Sequence, residues 1–373
     1  MRMGTKKRQN HLMSVRIILG CLLVVIVVLG VVAYQTIRWA EGPAIPAEAH
    51  PPSKVIVIPD GSTFQQVAEL LERERLIKSS LAFVLFGKSQ SADRKVHAGE
   101  YELNPSMNLA EILSMLRSGQ VRLHSLTVPE GLTFVQIAEL ASQDGLTDRT
   151  EFLRLAKDRE FIGSLEIKAE TLEGYLYPDT YKFPRPVKAR EVLVAMVEQL
   201  RQEVGPDLHA RMQELKMTMH EVLTLASVIE KETGSGGERP EISAVFHNRL
   251  KKHIPLQSDP TVIYGLPAFD GNLHKKDLSS PSPYNTYRVQ GLPPGPIANP
   301  GIQAIRAALY PSDSRSLYFV SRNDGTHEFS ATLIEHNKAV EKYQKRPFRR
   351  GTHSQTSIVV PREGAQVYKE GVS

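Results

Sequence analysis

A chain of 373 residues, 41% hydrophobic and 23% charged, is too long for one ordinary domain and too apolar for a mostly disordered protein, so two or three folded units are expected. The formal charge of +5 is concentrated at the two ends: residues 1–16 carry Arg2, Lys6, Lys7, Arg8 and Arg16 without an acid, and the residues from Lys342 onward carry a further excess of Lys and Arg. The span between them is net acidic and offers no electrostatic footprint for a phosphate backbone, which excludes nucleic acid as a partner. Cys21 is the only cysteine, so no internal disulfide is available and stability must come from packing.

The basic segment 1–16 is followed by Ile17 to Ala33, a run with no charge and no proline. At 1.5 Å per residue it covers about 25 Å, near the lower limit for crossing a bilayer. Tyr34 and Trp39 stand where an interfacial aromatic belt belongs. Basic residues before the span and few after it keep the N-terminus in the cytoplasm and send everything after Arg38 across the membrane. Ile18-Leu19-Gly20-Cys21 has some likeness to a lipoprotein processing site, but the apolar run continues well past Cys21, which favours an uncleaved anchor over residues 17–34. Residues 35–54, with Pro43, Pro46, Pro51 and Pro52, read as an extended tether.

Beyond the tether lies an internal repeat. Ile58-Pro59-Asp60-Gly61-Ser62-Thr63-Phe64-Gln65-Gln66-Val67-Ala68-Glu69-Leu70 recurs seventy residues later as Val128-Pro129-Glu130-Gly131-Leu132-Thr133-Phe134-Val135-Gln136-Ile137-Ala138-Glu139-Leu140. Each copy predicts a strand ending at proline, a glycine turn, a threonine cap and a helix with apolar residues at helical spacing. The first copy continues through a helical run at Leu81 to Phe86 to a strand at Gly99 to Leu103. Strand, helix, helix, strand over residues 55–120 resembles a LysM-like module, a fold often associated with N-acetylated glycans; a structural spacer fits the pattern as well. A helix at Leu109 to Arg117 and a strand near Val121 to Val128 lead into the second copy, and residues 121–343 read as a mixed α+β domain. Its helices are expected at Glu191 to Leu215, interrupted near Gly205-Pro206, at His220 to Lys231, Pro240 to Leu250, Ile302 to Leu309 and Thr332 to Tyr343. A strand is expected at Leu317 to Ser321, and the segments after Gln257 read as irregular connections that line a cleft. The basic tail 344–373 reads as disordered. The fold class is therefore α+β behind a membrane-anchor helix.

No GxSxG, Walker A, GxGxxG, HExxH or CxxC occurs, and no histidines have paired ligand spacing, so neither a cofactor nor a metal is expected. The informative segment is Leu225-Ala226-Ser227-Val228-Ile229-Glu230-Lys231-Glu232-Thr233-Gly234. Its apolar run places Glu230 in the last turn of a helix that Gly234 should end, where the helix dipole and apolar neighbours both disfavour the anion, as a general acid requires. A surface ion pair is the plain alternative. Gln257, Ser258, Asp259 and Tyr264, then Tyr284, Asn285, Thr286 and Tyr287, combine amides, hydroxyls and rings of the kind that hold sugars. Gly291 to Gly301, containing Asn299, follows as a rigid loop.

Ala226 to Thr233, Val245-Phe246-His247-Asn248-Arg249-Leu250, Gln257 to Tyr264, Tyr284 to Tyr287 and Gly291-Leu292-Pro293-Pro294-Gly295-Pro296-Ile297 together closely resemble the MltG, or YceG-like, endolytic murein transglycosylases. The resemblance implies a single-pass inner-membrane enzyme with its C-terminal part in the periplasm, cutting nascent glycan strands internally, with Glu230 as catalytic acid and base. Peptidoglycan strands, the membrane and cell-wall synthases are the partners it puts forward. From the residues alone, a non-catalytic wall-binding scaffold and a hydrolysing muramidase stay open. Glu232 points away from Glu230 at helical spacing and Glu238 follows a glycine-rich turn; in the polar loops Asp259 is the only other obvious acid, and it precedes Pro260 where it can cap a turn. With one carboxylate the substrate supplies the nucleophile, and the expected product is a 1,6-anhydro-N-acetylmuramic acid end.

Overall fold

The computed structural model describes residues 4–91, 96–232 and 236–345, with the backbone alone described before Leu22. The expected helix terminator Gly234, the tail beyond Lys345 and the side chains of Cys21 and the basic segment lie outside the described residues. In chain order the first elements are α1 (Gly4–Glu41), β1 (Lys54–Ile58), α2 (Phe64–Arg73), α3 (Ser80–Ser89), β2 (Gly99–Leu103), α4 (Leu109–Ser118) and β3 (His124–Thr127). Then follow α5 (Phe134–Ser142), α6 (Arg149–Leu155), α7 (Arg159–Ser164), β4 (Thr180–Phe183), α8 (Ala189–Glu203), α9 (Pro206–Leu215) and α10 (Met219–Glu232). The chain closes with α11 (Arg239–Lys251), α12 (Asp259–Gly265), α13 (Ile302–Leu309), β5 (Tyr318–Ser321), β6 (His327–Ser330) and α14 (Leu333–Val340), a mixed α+β architecture.

Helix α1 covers the expected span. Its Leu22–Glu41 part is long and apolar enough to cross a membrane, and Leu22 through Leu29, Val31 and Val32 all expose their side chains. Apolar surface of that extent is unfavourable in water, and the helix is compatible with a single-pass membrane anchor. The proline-rich stretch after it differs from a free tether. Lys78 donates to the Trp39 carbonyl at 2.8 Å and lies 4.7 Å from the centroid of the Trp39 ring. The Ile45 amide donates to Pro105 O at 3.0 Å, and Asn104 Nδ2 to Pro51 O at 2.9 Å. Proline removes a donor but leaves a carbonyl, and the Pro51 carbonyl is satisfied here by the Asn104 side chain.

The compact units are Met1–Leu126 with Ala141–Asp148 and Thr180–Lys188, and Thr127–Leu140 with Arg149–Asp179 and Ala189–Ser373. Each unit is assembled from segments that are not contiguous in sequence. In the first unit β1 and β2 pair antiparallel with Ile56 opposite Tyr101 and Lys54 opposite Leu103, with α2 and α3 between them in sequence. Ile56 and Ile58 face inward while Val55 and Val57 face solvent, the alternation of a half-buried strand. Leu71, Leu76, Phe83, Tyr101, Leu103, Ile112 and Leu116 fill the core. The repeat proves structural: Gly61 and Gly131 adopt left-handed φ of 76° and 77°, and Thr63 and Thr133 each exchange hydrogen bonds with the Gln three residues on.

In the second unit α8 ends at Glu203 and α9 restarts with Pro206 in its first turn, the break expected at Gly205-Pro206. Helix α10 is buried from Val222 to Ile229 and packs against α11, α12 and α13. One expectation fails: Asp259–Gly265, read as irregular, is helix α12, because Pro260 falls in the first turn, where its missing N–H costs nothing. Leu71 is fully buried in the first unit's core, so Leu71→Ala should lower its unfolding free energy by about 2–5 kcal/mol, read by denaturant titration.

Candidate active site

Glu230 ends α10 with a side chain only 6% exposed, and the structure supplies partners that the sequence did not reveal. Arg239, the first residue of α11, donates from Nη2 to Glu230 Oε1 at 2.8 Å. The amide of Gly301, the N-cap of α13, donates to Glu230 Oε2 at 3.1 Å. Both contacts stabilise a carboxylate, opposing the helix dipole and apolar neighbours on which the sequence argument rested.

A second carboxyl stands beside this pair. Glu130, from the turn of the second repeat, has Oε2 3.7 Å from the same Arg239 Nη2. It lies against Gly301: a Cβ built on that glycine would lie 1.8 Å from Glu130 Oε1, so any larger residue there would have to displace the Glu130 carboxyl. The side chain of Glu130 is 45% exposed, and its proton affinity is raised by partial burial first and by the charge of Glu230 second, against the pull of Arg239. The acid count in the sequence missed Glu130 because one hundred residues separate it from Glu230. The available signal was that the repeat's turn carries an acid in both copies, Asp60 and Glu130. Lys231 donates to Gly131 O at 3.2 Å and ties that turn to α10.

Asn299 organises the loop before α13. Its amide accepts from Leu176 N and donates to Leu132 O and to Glu173 Oε1, while its backbone carbonyl accepts from Gly131 N. Ser227 Oγ accepts from Ile297 N, and His220 Nε2 meets Pro294 O at 2.9 Å, so two residues of α10 fix the proline-rich loop. Glu173, 2% exposed, accepts from Phe134 N, Asn299 and Tyr264 Oη. Burial nevertheless pushes its carboxyl up to about 7. It lines a cavity of about 370 Å³ with His220, Tyr264, Tyr284 and Gly295, and the two tyrosine rings lie 4.9 Å apart.

The other residues singled out from the sequence divide into two groups. Tyr264 and Tyr284 border that cavity. Ser258, Asn285, Thr286 and Asn299 are almost fully buried and direct their polar atoms inward. Ser258 Oγ donates to Glu232, Asn285 Nδ2 donates to Leu278 O and Ser280 O, and Thr286 Oγ1 meets Thr261 Oγ1 at 2.8 Å. In this arrangement they shape the loops. Gln257 has a left-handed φ of 52° and accepts from Arg249, and Tyr287 donates to Asp259 at 2.6 Å. Among the described residues no group of three His, Cys, Asp or Glu side chains is placed to hold a metal ion.

The chain combines an apolar helix long enough to cross a membrane with an α+β body and a buried carboxyl held by arginine beside a second carboxyl. The YceG-like family model matches residues 56–342, and the chain belongs to that family. It is 38% identical over 304 residues to a Bacillus subtilis (strain 168) protein named endolytic murein transglycosylase, covering 77% of this chain and 84% of that one. A Streptococcus pneumoniae (strain D39) protein of the same name is 30% identical over 356 residues, covering 86% of this chain but only 64% of the relative. The crystal structure of a YceG-like protein from Listeria monocytogenes, 36% identical, covers 78% of this chain and 99% of its own with a TM-score of 0.54.

Glu173 generates a pH prediction. Its folded-state proton affinity is raised, so between about pH 4.5 and 7 the folded chain holds a proton that the unfolded chain has released, and stability falls as pH rises through that window. Glu173→Gln keeps the acceptor for Phe134 N and cannot ionise. Urea titrations should show this variant near wild type at pH 5 and more stable at pH 8, by at most about 3 kcal/mol.

Proposed function

We propose that this protein is a membrane-anchored lytic transglycosylase that cleaves the MurNAc–GlcNAc bond within nascent peptidoglycan strands and leaves 1,6-anhydro-MurNAc ends, so terminating strand elongation. The observation that carries this reading is the Glu230 carboxylate, clamped by Arg239 and the Gly301 amide inside a chain whose relatives are named endolytic murein transglycosylases. In the reaction the C6 hydroxyl of the muramyl residue attacks its own C1 as the glycosidic bond breaks. That hydroxyl must lose a proton, and the Glu230 carboxyl, accepting hydrogen bonds from a guanidinium and a backbone N–H, is the group proposed to take it. Water is neither consumed nor admitted to the product.

The charge step across α1 supports an inner-membrane anchor with the folded part in the periplasm, where such strands and the synthases that make them are found. The order β1-α2-α3-β2 supports the LysM-like reading of the first unit, which would hold the strand while the second cuts it. Tyr264 and Tyr284, which line the cavity, offer ring surfaces for sugar faces.

Two measurements test this. Glu230→Gln should reduce release of anhydro ends from uncross-linked glycan strands by about 100-fold or more while leaving strand binding intact, and Asp259→Asn should be milder. Wild-type products, weighed by mass spectrometry, should be one water lighter than muramidase products; reducing ends in their place would establish hydrolysis. For topology, a reporter joined after Arg38 should be active only outside the cytoplasm, and cytoplasmic activity would refute both the location and the substrate.

A further inference from the structure

Resting on the function just proposed, we infer that Glu130 is a second catalytic carboxyl of this site, giving its proton to the departing glycosidic oxygen while Glu230 takes the proton of the C6 hydroxyl. Arg239 Nη2 lies 2.8 Å from Glu230 and 3.7 Å from Glu130, so the two carboxyls are neighbours sharing one cation. Both also meet at Gly301, whose amide binds one and whose missing Cβ makes room for the other. Their environments push them toward different roles. Glu230 is nearly buried and accepts hydrogen bonds from a guanidinium and a backbone amide, so its oxygens face donors. Glu130 is the accessible member, and partial burial together with the charge of Glu230 raises its proton affinity. Two neighbouring carboxyls whose surroundings differ in this way divide acid from base.

The groups facing the pair are Arg239 from α11, Lys231 from α10 and Tyr177, whose hydroxyl is pushed up to about 12 by burial and by acids that include Glu130. Among the described residues Arg239 Nε is buried without a hydrogen-bond partner. The step balances. The C1–O bond to the leaving sugar breaks, its oxygen takes the Glu130 proton, C1–O6 forms, and the C6 hydroxyl proton passes to Glu230. One carboxylate is present before and one after, so the net charge beside Arg239 is unchanged. Glu230 then releases its proton and Glu130, which is open to solvent, takes one up, so the resting pair is restored with no net proton gained or lost.

The test compares the full chain in detergent as wild type, Glu130→Gln and Glu230→Gln on two substrates: natural glycan strands, and a muramyl oligosaccharide whose leaving group is 4-nitrophenolate, which departs without protonation. Glu130→Gln should lose about 100-fold in kcat on glycan strands, with KM little changed and the alkaline limb of the kcat profile gone, yet lose less than about tenfold on the nitrophenyl substrate. Glu230→Gln should fail on both. If Glu130→Gln melts well below wild type, Glu130→Ala assayed with added formate replaces it, and rescue by formate is the expected result. A Glu130→Gln protein with wild-type rates, or with equal losses on both substrates, overturns the assignment while wild-type anhydro products keep the function. Wild-type protein that releases no anhydro ends overturns the function and the assignment together.

Discussion

The site depends on the cost of placing the Glu230 carboxylate at the end of a helix that is otherwise buried. An ion taken out of water without a partner is penalised by several kcal/mol, and the C-terminal end of a helix adds a further unfavourable potential. Arg239 and the Gly301 amide offset that cost, and the arrangement of the second unit follows from bringing them there. Helix α11 begins at Arg239, and α13 begins just after Gly301. Both helix starts therefore converge on one carboxylate, and the proline-rich loop between α12 and α13 is held in place by α10 through Ser227 and His220.

Around this centre the chain spends its buried polar groups on geometry. Asn299 bonds to the second repeat's turn and, through Leu176 and Glu173, to the segment before β4, and so joins its own loop to two stretches distant in sequence. A buried polar network of this kind is stabilising only when its members are satisfied, and the bonds to Asn299 and Glu173 meet that condition. The protein accepts one cost within it, a carboxyl held up to about 7 beside the cavity. Glu232, one step past Lys231, is raised to about 7 by burial as well, against the hydrogen bond from Ser258.

The repeat shows how one local design is put to two uses. The same proline, acid, left-handed glycine and capped helix occur in both units. In the first, Asp60 is exposed on the turn. In the second, one more methylene and a neighbouring Gly301 bring Glu130 against the Glu230–Arg239 pair. The turn's backbone is set by its glycine, whereas its chemistry is set by what stands opposite.

The sequence by itself determined what depends on neighbours along the chain: the apolar span, the repeat with its caps, the break at Gly205-Pro206, the helices around α10 and the position of Glu230 at the end of one of them. These follow from periodicity, capping and charge steps within a few turns of backbone. It also carried the ordered motifs of the YceG-like family. Only the tertiary structure decided which polar residues face inward. Ser258, Asn285 and Thr286 have the composition of a sugar site, and the structure shows them buried with their polar atoms bonded to neighbouring loops, which no local pattern reveals. It alone placed Arg239 and Glu130 on Glu230, because electrostatic pairing acts across space and is blind to the hundred residues that separate Glu130 from its partner. The division of the chain into units was hidden for the same reason: packing recruited Ala141–Asp148 and Thr180–Lys188 to the first unit by contacts that sequence order does not record.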